Sequence, residues 1–162
     1  MKDDNSPLPS ETLILKTEAF SVNKTVCTNR QGRMVSTAAF RRWKDFVATL
    51  ISTPVNEGRI NRIKSAFDPA IHRLIYKQIT YFPSNVLFTL KGELSSRAFD
   101  VSNIEKGIID LIYEGKGGLD INDKFNTDLI SLKRCSETDF AYITVEISIA
   151  LLNDIKPDFD SN

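Results

Sequence analysis

The sequence predicts an α+β fold, a single small domain with a mixed sheet and two main helices. Three stretches carry that expectation. From Phe140 to Ile149, Ala141, Ile143, Val145, Ile147 and Ile149 alternate with Tyr142, Thr144, Glu146 and Ser148. That is the period of a strand with one buried face. Ile104, Ile108, Leu111 and Ile112 fall at i, i+4, i+7 and i+8, one apolar face of a helix. Phe40, Trp43, Phe46, Val47 and Leu50 mark a second helix in the same way, with the aromatic stripe expected in the core. A chain of 162 residues is long enough for one such core.

Taken in order, residues 1–10 read as a tail, 11–152 as the domain and 153–162 as an acidic tail. Glu11 to Phe20 is expected to be a strand, with Leu13 and Leu15 on one face. Ser21 to Lys24 opens a polar loop, and Thr28 to Arg33 has turn composition. Ser36 is placed to cap a helix from Thr37 to Ile51. Residues 52–84 read as a longer, basic inserted segment punctuated by Pro54, Gly58, Pro69 and Pro83. Within it, Ile60–Phe67 and Ala70–Ile79 are expected as short helices, exposing Arg59, Arg62, Lys64, Arg73 and Lys77. The only histidine, His72, lies there without an evident partner and reads as structural or solvated. Val86–Leu90 reads as a strand. In the helix that follows, Ser102 and Glu105 form a capping box, and Gly115, Gly117 and Gly118 stop it. Asp128–Lys133 is expected as a strand, Arg134–Asp139 as a turn, and the last two strands as an antiparallel hairpin.

Composition excludes several classes. No apolar run approaches a membrane span; Ile147–Leu152 is the densest and far too short. The polar N-terminus does not read as a secretory leader, so the cytoplasm is the expected compartment. Cys27 and Cys135 make neither a disulfide framework nor a zinc site and are expected reduced and unpaired. The net charge is zero but unevenly spread. Residues 22–97 hold 13 Lys and Arg against 4 Asp and Glu, and residues 98–162 hold 6 against 13. A polyanion partner for the basic part accounts for this, and so do two parts neutralising each other across one fold.

Chemistry concentrates in Phe99-Asp100-Val101-Ser102-Asn103-Ile104-Glu105-Lys106 and in Leu119-Asp120-Ile121-Asn122-Asp123. The first puts a carboxylate at the entry to a helix, where the dipole favours anions, and a lysine inside it. The second adds carboxylate and amide oxygens from the loop after that helix. Oxygen ligands beside a lone ammonium suit a hard divalent cation and a phosphate. The local pattern also describes ordinary capping beside a solvated lysine.

This order of elements and residues resembles the RusA family of Holliday-junction resolvases. The family's signature is a strand running into Asp-x-Asp-Asn-x-x-Lys at a helix start, with a further Asp after the helix. Here the line reads Asp100-Val101-Ser102-Asn103-Ile104-Glu105-Lys106, then Asn122-Asp123. Ser21-Val22-Asn23 is similar to the family's Pro-Ser-Asn loop, and Gly32 to Ser36 to the segment feeding its first helix. The resemblance spans residues 12–149. It implies a RusA-like fold, and Asp100 and Asp123 as metal-binding catalytic carboxylates with Lys106 as the catalytic lysine. It implies Mg²⁺, with Mn²⁺ as a substitute, and an Asn103 that shapes the site. It also implies that Asn23, Lys24, Arg33, Arg41, Arg42, Arg97 and Asn103 contact DNA. The implied substrate is a four-way junction or other branched DNA in recombination and repair. Two symmetric nicks imply a homodimer. Ser102 departs from the pattern, standing where the family has its second Asp. As a metal ligand it is neutral, so the chain is expected either to cleave or to bind junctions without efficient cleavage.

Overall fold

In a computed structural model, the structure describes residues 7–20, 26–95, 102–115 and 117–155, the side chains of 102–104 excepted. Four strands form one mixed sheet in the order β1 (Ser10–Leu15), β6 (Tyr142–Leu151), β4 (His72–Phe82), β5 (Asn126–Cys135). A second sheet holds only β2 (Val26–Thr28) and β3 (Met34–Ser36). The helices are α1 (Ala38–Ile51), α2 (Pro54–Ala66), the single turn α3 (Ser84–Leu87) and α4 (Ser102–Tyr113). The expected α+β class with a small mixed sheet therefore holds.

One face of the large sheet carries the core. Leu13 and Leu15 of β1, Ile143, Val145 and Ile147 of β6 and Tyr76 of β4 pack with Val47 and Ile51 of α1, Ile60 and Ile63 of α2, and Ile108, Leu111 and Ile112 of α4. The alternation that marks β6 is thus a burial pattern, since its odd-numbered residues from Ile143 to Ile149 are buried. Gly107 brings α4 against α1: a Cβ there would stand 3.2 Å from the Trp43 ring. Gly117 ends the α4 region at φ +82°, a conformation that favours glycine, and the Leu119 N–H closes on the Ile112 carbonyl at 2.7 Å.

Several expectations are corrected. Thr37, not Ser36, caps α1, its side chain accepting the Phe40 N–H at 3.2 Å. Phe46 leaves the core and is half exposed. The turn composition of residues 28–33 does form a turn, residues 29–33 being the tip of the β2–β3 hairpin, whose strands are exposed throughout. Val86–Leu90 is not a strand; α3 leads into a short hairpin bridged at Phe88 and Leu94. Ala70–Ile79 is not a helix, because most of it lies in β4, the strand between β6 and β5. Leu74, Tyr76, Gln78, Thr80 and Phe82 alternate inward along it, and the polar Gln78 and Thr80 obscure that period. The segment read as inserted is therefore integral to the sheet. Nor do β5 and β6 form a hairpin: β4 pairs antiparallel with β6 and parallel with β5. Ser136 N–H bonds the Phe82 carbonyl at 2.7 Å, so the chain leaves β5 at the end of β4 and crosses it to enter β6.

The basic stretch is largely spent inside the molecule. Arg62 pairs with Glu11, and Arg59 donates to the Thr12 carbonyl, covering the open edge of β1. Arg73 is buried, bonding Asp128, Thr127 and the Leu151 carbonyl. Lys77 pairs with Glu146 at 3.3 Å and Lys64 with Asp120 at 3.8 Å. Each of these ion pairs joins a cation of the basic segment to an acid outside it. His72 is structural: its Nδ1 accepts the Asp68 N–H at 3.0 Å.

Candidate functional site

α4 is the crossover between the parallel strands β4 and β5. Its N-terminus stands toward the end of β4 and its C-terminus toward the beginning of β5. Lys106, one turn into the helix, is exposed. Asp123 is also exposed and begins a 3₁₀ turn, Asp123–Phe125, capped by Asn122, whose side chain accepts the Lys124 N–H at 2.9 Å. Tyr113 lies seven positions after Lys106, about 10 Å of helical rise. Lys106 and Asp123 therefore flank opposite ends of α4 within one chain. Asp100, Asn23, Lys24 and Arg97 lie outside the described residues, as do the side chains of Ser102 and Asn103.

Between those ends runs a polar seam that sequence reasoning did not find. Glu105, half-buried, accepts a hydrogen bond from Ser131 of β5, so its carboxylate faces the sheet. Ser131 stands beside Gln78 in the parallel register. Gln78 accepts from the Tyr76 hydroxyl at 2.6 Å and donates to Thr80 at 3.2 Å. The Tyr76 and Tyr113 rings lie 6.3 Å apart. Burial, with Tyr113 and Glu105 nearby, holds the Tyr76 hydroxyl well above the ordinary tyrosine range. Burial, with the charge of Asp123, does the same to Tyr113. The sequence carries no local signal for this seam: in β4 the polar Gln78 and Thr80 break the apolar alternation, and its β5 and α4 parts have none.

Two acceptors in this region are unsatisfied. The Tyr113 hydroxyl and Asn126 Oδ1 are buried without hydrogen-bond partners among the described residues. Asn126 closes the turn that Asp123 opens, its N–H bonding the Asp123 carbonyl. Among the described residues no three His, Cys, Asp or Glu side chains form a metal-binding group.

Tyr113→Phe is expected to leave stability unchanged or to raise it by about 1 kcal/mol, because it deletes a buried hydroxyl that has no partner. Both tyrosines are held neutral by the fold while the unfolded chain ionises them near pH 10. Their contribution is thus complete below about pH 10 and is lost as the pH climbs through the folded values. Chemical denaturation at pH 8 and pH 11 should show a smaller alkaline loss in Tyr113→Phe than in wild type; equal losses would contradict the burial argument.

The expected DNA contacts divide. Arg33 is exposed on the β2–β3 hairpin beside the equally exposed Arg30, and Arg42 is exposed on α1. Arg41 is exposed too, but its guanidinium donates to the Ser36 carbonyl, bracing the hairpin against the helix. Asp120 is held at φ +53° and points outward to Lys64, away from the seam. Among the described residues no helix is long and apolar enough to cross a membrane. No family model matches this chain, and no curated protein matches it.

Proposed function

We propose that this chain is a metal-dependent endonuclease that nicks four-way junctions and related branched DNA in recombination and repair. The observation that carries the reading is the order Asp100, Asn103, Lys106, Asp123 along the chain around α4, supported by the exposed arginines of the hairpin and α1. Asp100 and Asp123, with Ser102 as a neutral ligand, would hold Mg²⁺ or Mn²⁺ across the two copies of a homodimer, because within one chain Asp123 lies beyond the end of α4 opposite to Lys106. When bound, that cation supplies a Lewis acid for the phosphate and a more acidic water. Lys106 stabilises the negative charge that grows on the phosphate oxygens. Asn103 orients the site, and Asn23, Lys24, Arg33, Arg41, Arg42 and Arg97 hold the backbone without reading sequence. A homodimer supplies two nicks across the junction. Cys27 and Cys135, both exposed and unpaired, suit the reducing cytoplasm.

Ser102 favours a second reading, a protein of the same design that binds junctions and cuts them poorly. One experiment tests both: purified protein with labelled four-way junction or linear duplex, in Mg²⁺, Mn²⁺ or EDTA. Metal-dependent cuts in the junction support the first reading, junction-selective binding without cuts the second, and equal affinity for linear duplex removes both.

Salt dependence should separate free from engaged cations. Arg33→Ala is expected to reduce the slope of log affinity against log salt by about 1, the loss of one phosphate contact. Arg62→Ala should leave that slope unchanged, because Glu11 already occupies its guanidinium. Equal slopes for wild type and Arg33→Ala would remove Arg33 from the interface.

A further inference from the structure

Away from the seam, a groove of about 860 Å³ opens where the end of β1, α1 and the turn before β6 meet. Trp43, Phe46, Phe140 and Tyr142 line it. Two of these rings are anchored. Trp43 Nε1 donates to the Glu18 carbonyl at 2.9 Å, and the Tyr142 ring stacks on Tyr81 with centroids 4.2 Å apart. The other two are open to water: Phe46 is half exposed and Phe140 is 77% exposed. Phe140 rides on a turn whose polar groups bond one another, Ser136 Oγ donating to the Phe140 carbonyl at 2.9 Å and accepting the Thr138 N–H at 3.1 Å. Exposed apolar rings gathered in one groove and rimmed by polar groups mark a binding surface.

The charge around the rings has one sign. Glu18, Glu137 and Asp139 line the groove against a single cation among the described lining residues, Lys16. Elsewhere the acids are engaged, Glu11, Asp120, Asp128 and Glu146 each taking a lysine or arginine. Among the described residues the three groove carboxylates take none. Glu137 also reaches the aromatic wall electrostatically: burial, the neighbouring Tyr81 and the Glu137 charge together raise the Tyr142 hydroxyl above the ordinary tyrosine range. Ring faces and free carboxylates both carry negative potential, so the groove attracts an organic cation and repels phosphate. Its volume lies in the range of about 300–1,000 Å³ that encloses a drug-sized ligand, the size of a short peptide segment rather than of one ammonium group.

We infer that this groove binds a short segment of a partner protein in which an arginine or lysine is flanked by apolar side chains. The apolar side chains cover Phe46 and Phe140, and the cation lies against the aromatic wall among Glu18, Glu137 and Asp139. Rings alone would take any apolar segment; the unpaired carboxylates select a basic one. The inference is independent of the nuclease reading, since none of these residues is assigned to metal, lysine chemistry or DNA.

Three capped tripeptides test it: acetyl-Leu-Arg-Leu-amide, acetyl-Leu-norleucine-Leu-amide and acetyl-Leu-Glu-Leu-amide. Each is titrated into the full chain and read by the emission of Trp43, the only tryptophan. The arginine peptide is expected to shift that emission to the blue and to saturate, binding at least tenfold tighter than the glutamate peptide. Glu137→Gln combined with Asp139→Asn should lower its affinity to that of the norleucine peptide, because only charge is removed. Phe140→Ala should weaken the arginine and norleucine peptides alike. All three positions are exposed, and thermal midpoints confirm that the variants are folded. No saturable shift with the arginine peptide at millimolar concentration, equal affinity for the glutamate peptide, or indifference to loss of the two carboxylates overturns the inference. A single-stranded oligonucleotide that shifts Trp43 emission more tightly than the arginine peptide overturns it too, and makes the rings a stacking platform for bases. Each of these results leaves the junction-cleavage test standing.

Discussion

Asp100→Asn should abolish metal-dependent junction cleavage, by at least about a hundredfold, while junction binding stays equal or tightens. The carboxylate is one of only two charged metal ligands in the proposed site, and loss of a ligand charge near the reacting phosphate costs several kcal/mol of transition-state stabilisation. Binding moves the other way, because a negative charge facing phosphate is removed. Ser102→Asp should have the converse effect. It supplies the carboxylate that the motif lacks and should raise cleavage at limiting Mg²⁺, with less effect in Mn²⁺, which binds oxygen and nitrogen sites differently and generally ranks low among transition metals yet tolerates looser geometry than Mg²⁺. Single-turnover cleavage of a labelled junction across a metal titration reads both. If wild type is silent at every metal concentration and Ser102→Asp is silent too, catalysis is not a property of this site.

Ile147→Ala should destabilise the fold by about 2–5 kcal/mol, whereas Ile14→Ala should cost less than about 1 kcal/mol. The two isoleucines sit on neighbouring strands, β6 and β1, and differ in the face they present. Ile147 is 1% exposed within the core, so truncation leaves a cavity between the sheet and the helices. Ile14 is 48% exposed on the opposite face, where water fills the space at once. Urea denaturation of both variants measures the difference. Comparable losses would mean that the sheet is covered on both faces.

The candidate site was half legible. Lys106 and Asp123 stand out as residue types, and the helix between them follows from Ile108, Leu111 and Ile112 at helical spacing. The seam was not legible, because Glu105 meets Ser131 only where a strand 26 positions later lies parallel to β4. Likewise the excess of lysine and arginine in residues 22–97 looks like a polyanion surface until Arg62, Arg73 and Lys77 are seen engaged by Glu11, Asp128 and Glu146.

By itself the sequence determined α4, β6 and the presence of α1 and β1, because each is specified by local periodicity against water; β1 ends at Leu15 rather than Phe20, and Phe46 of α1 turns out of the core. Only the tertiary structure decided that residues 72–82 are a strand and that they separate β5 from β6. The inward side chains of that strand include Gln78 and Thr80, whose burial is tolerable only once Tyr76, Gln78 and Thr80 bond one another beneath α4. Pairing of that kind depends on neighbours brought from far along the chain, and no local window contains them.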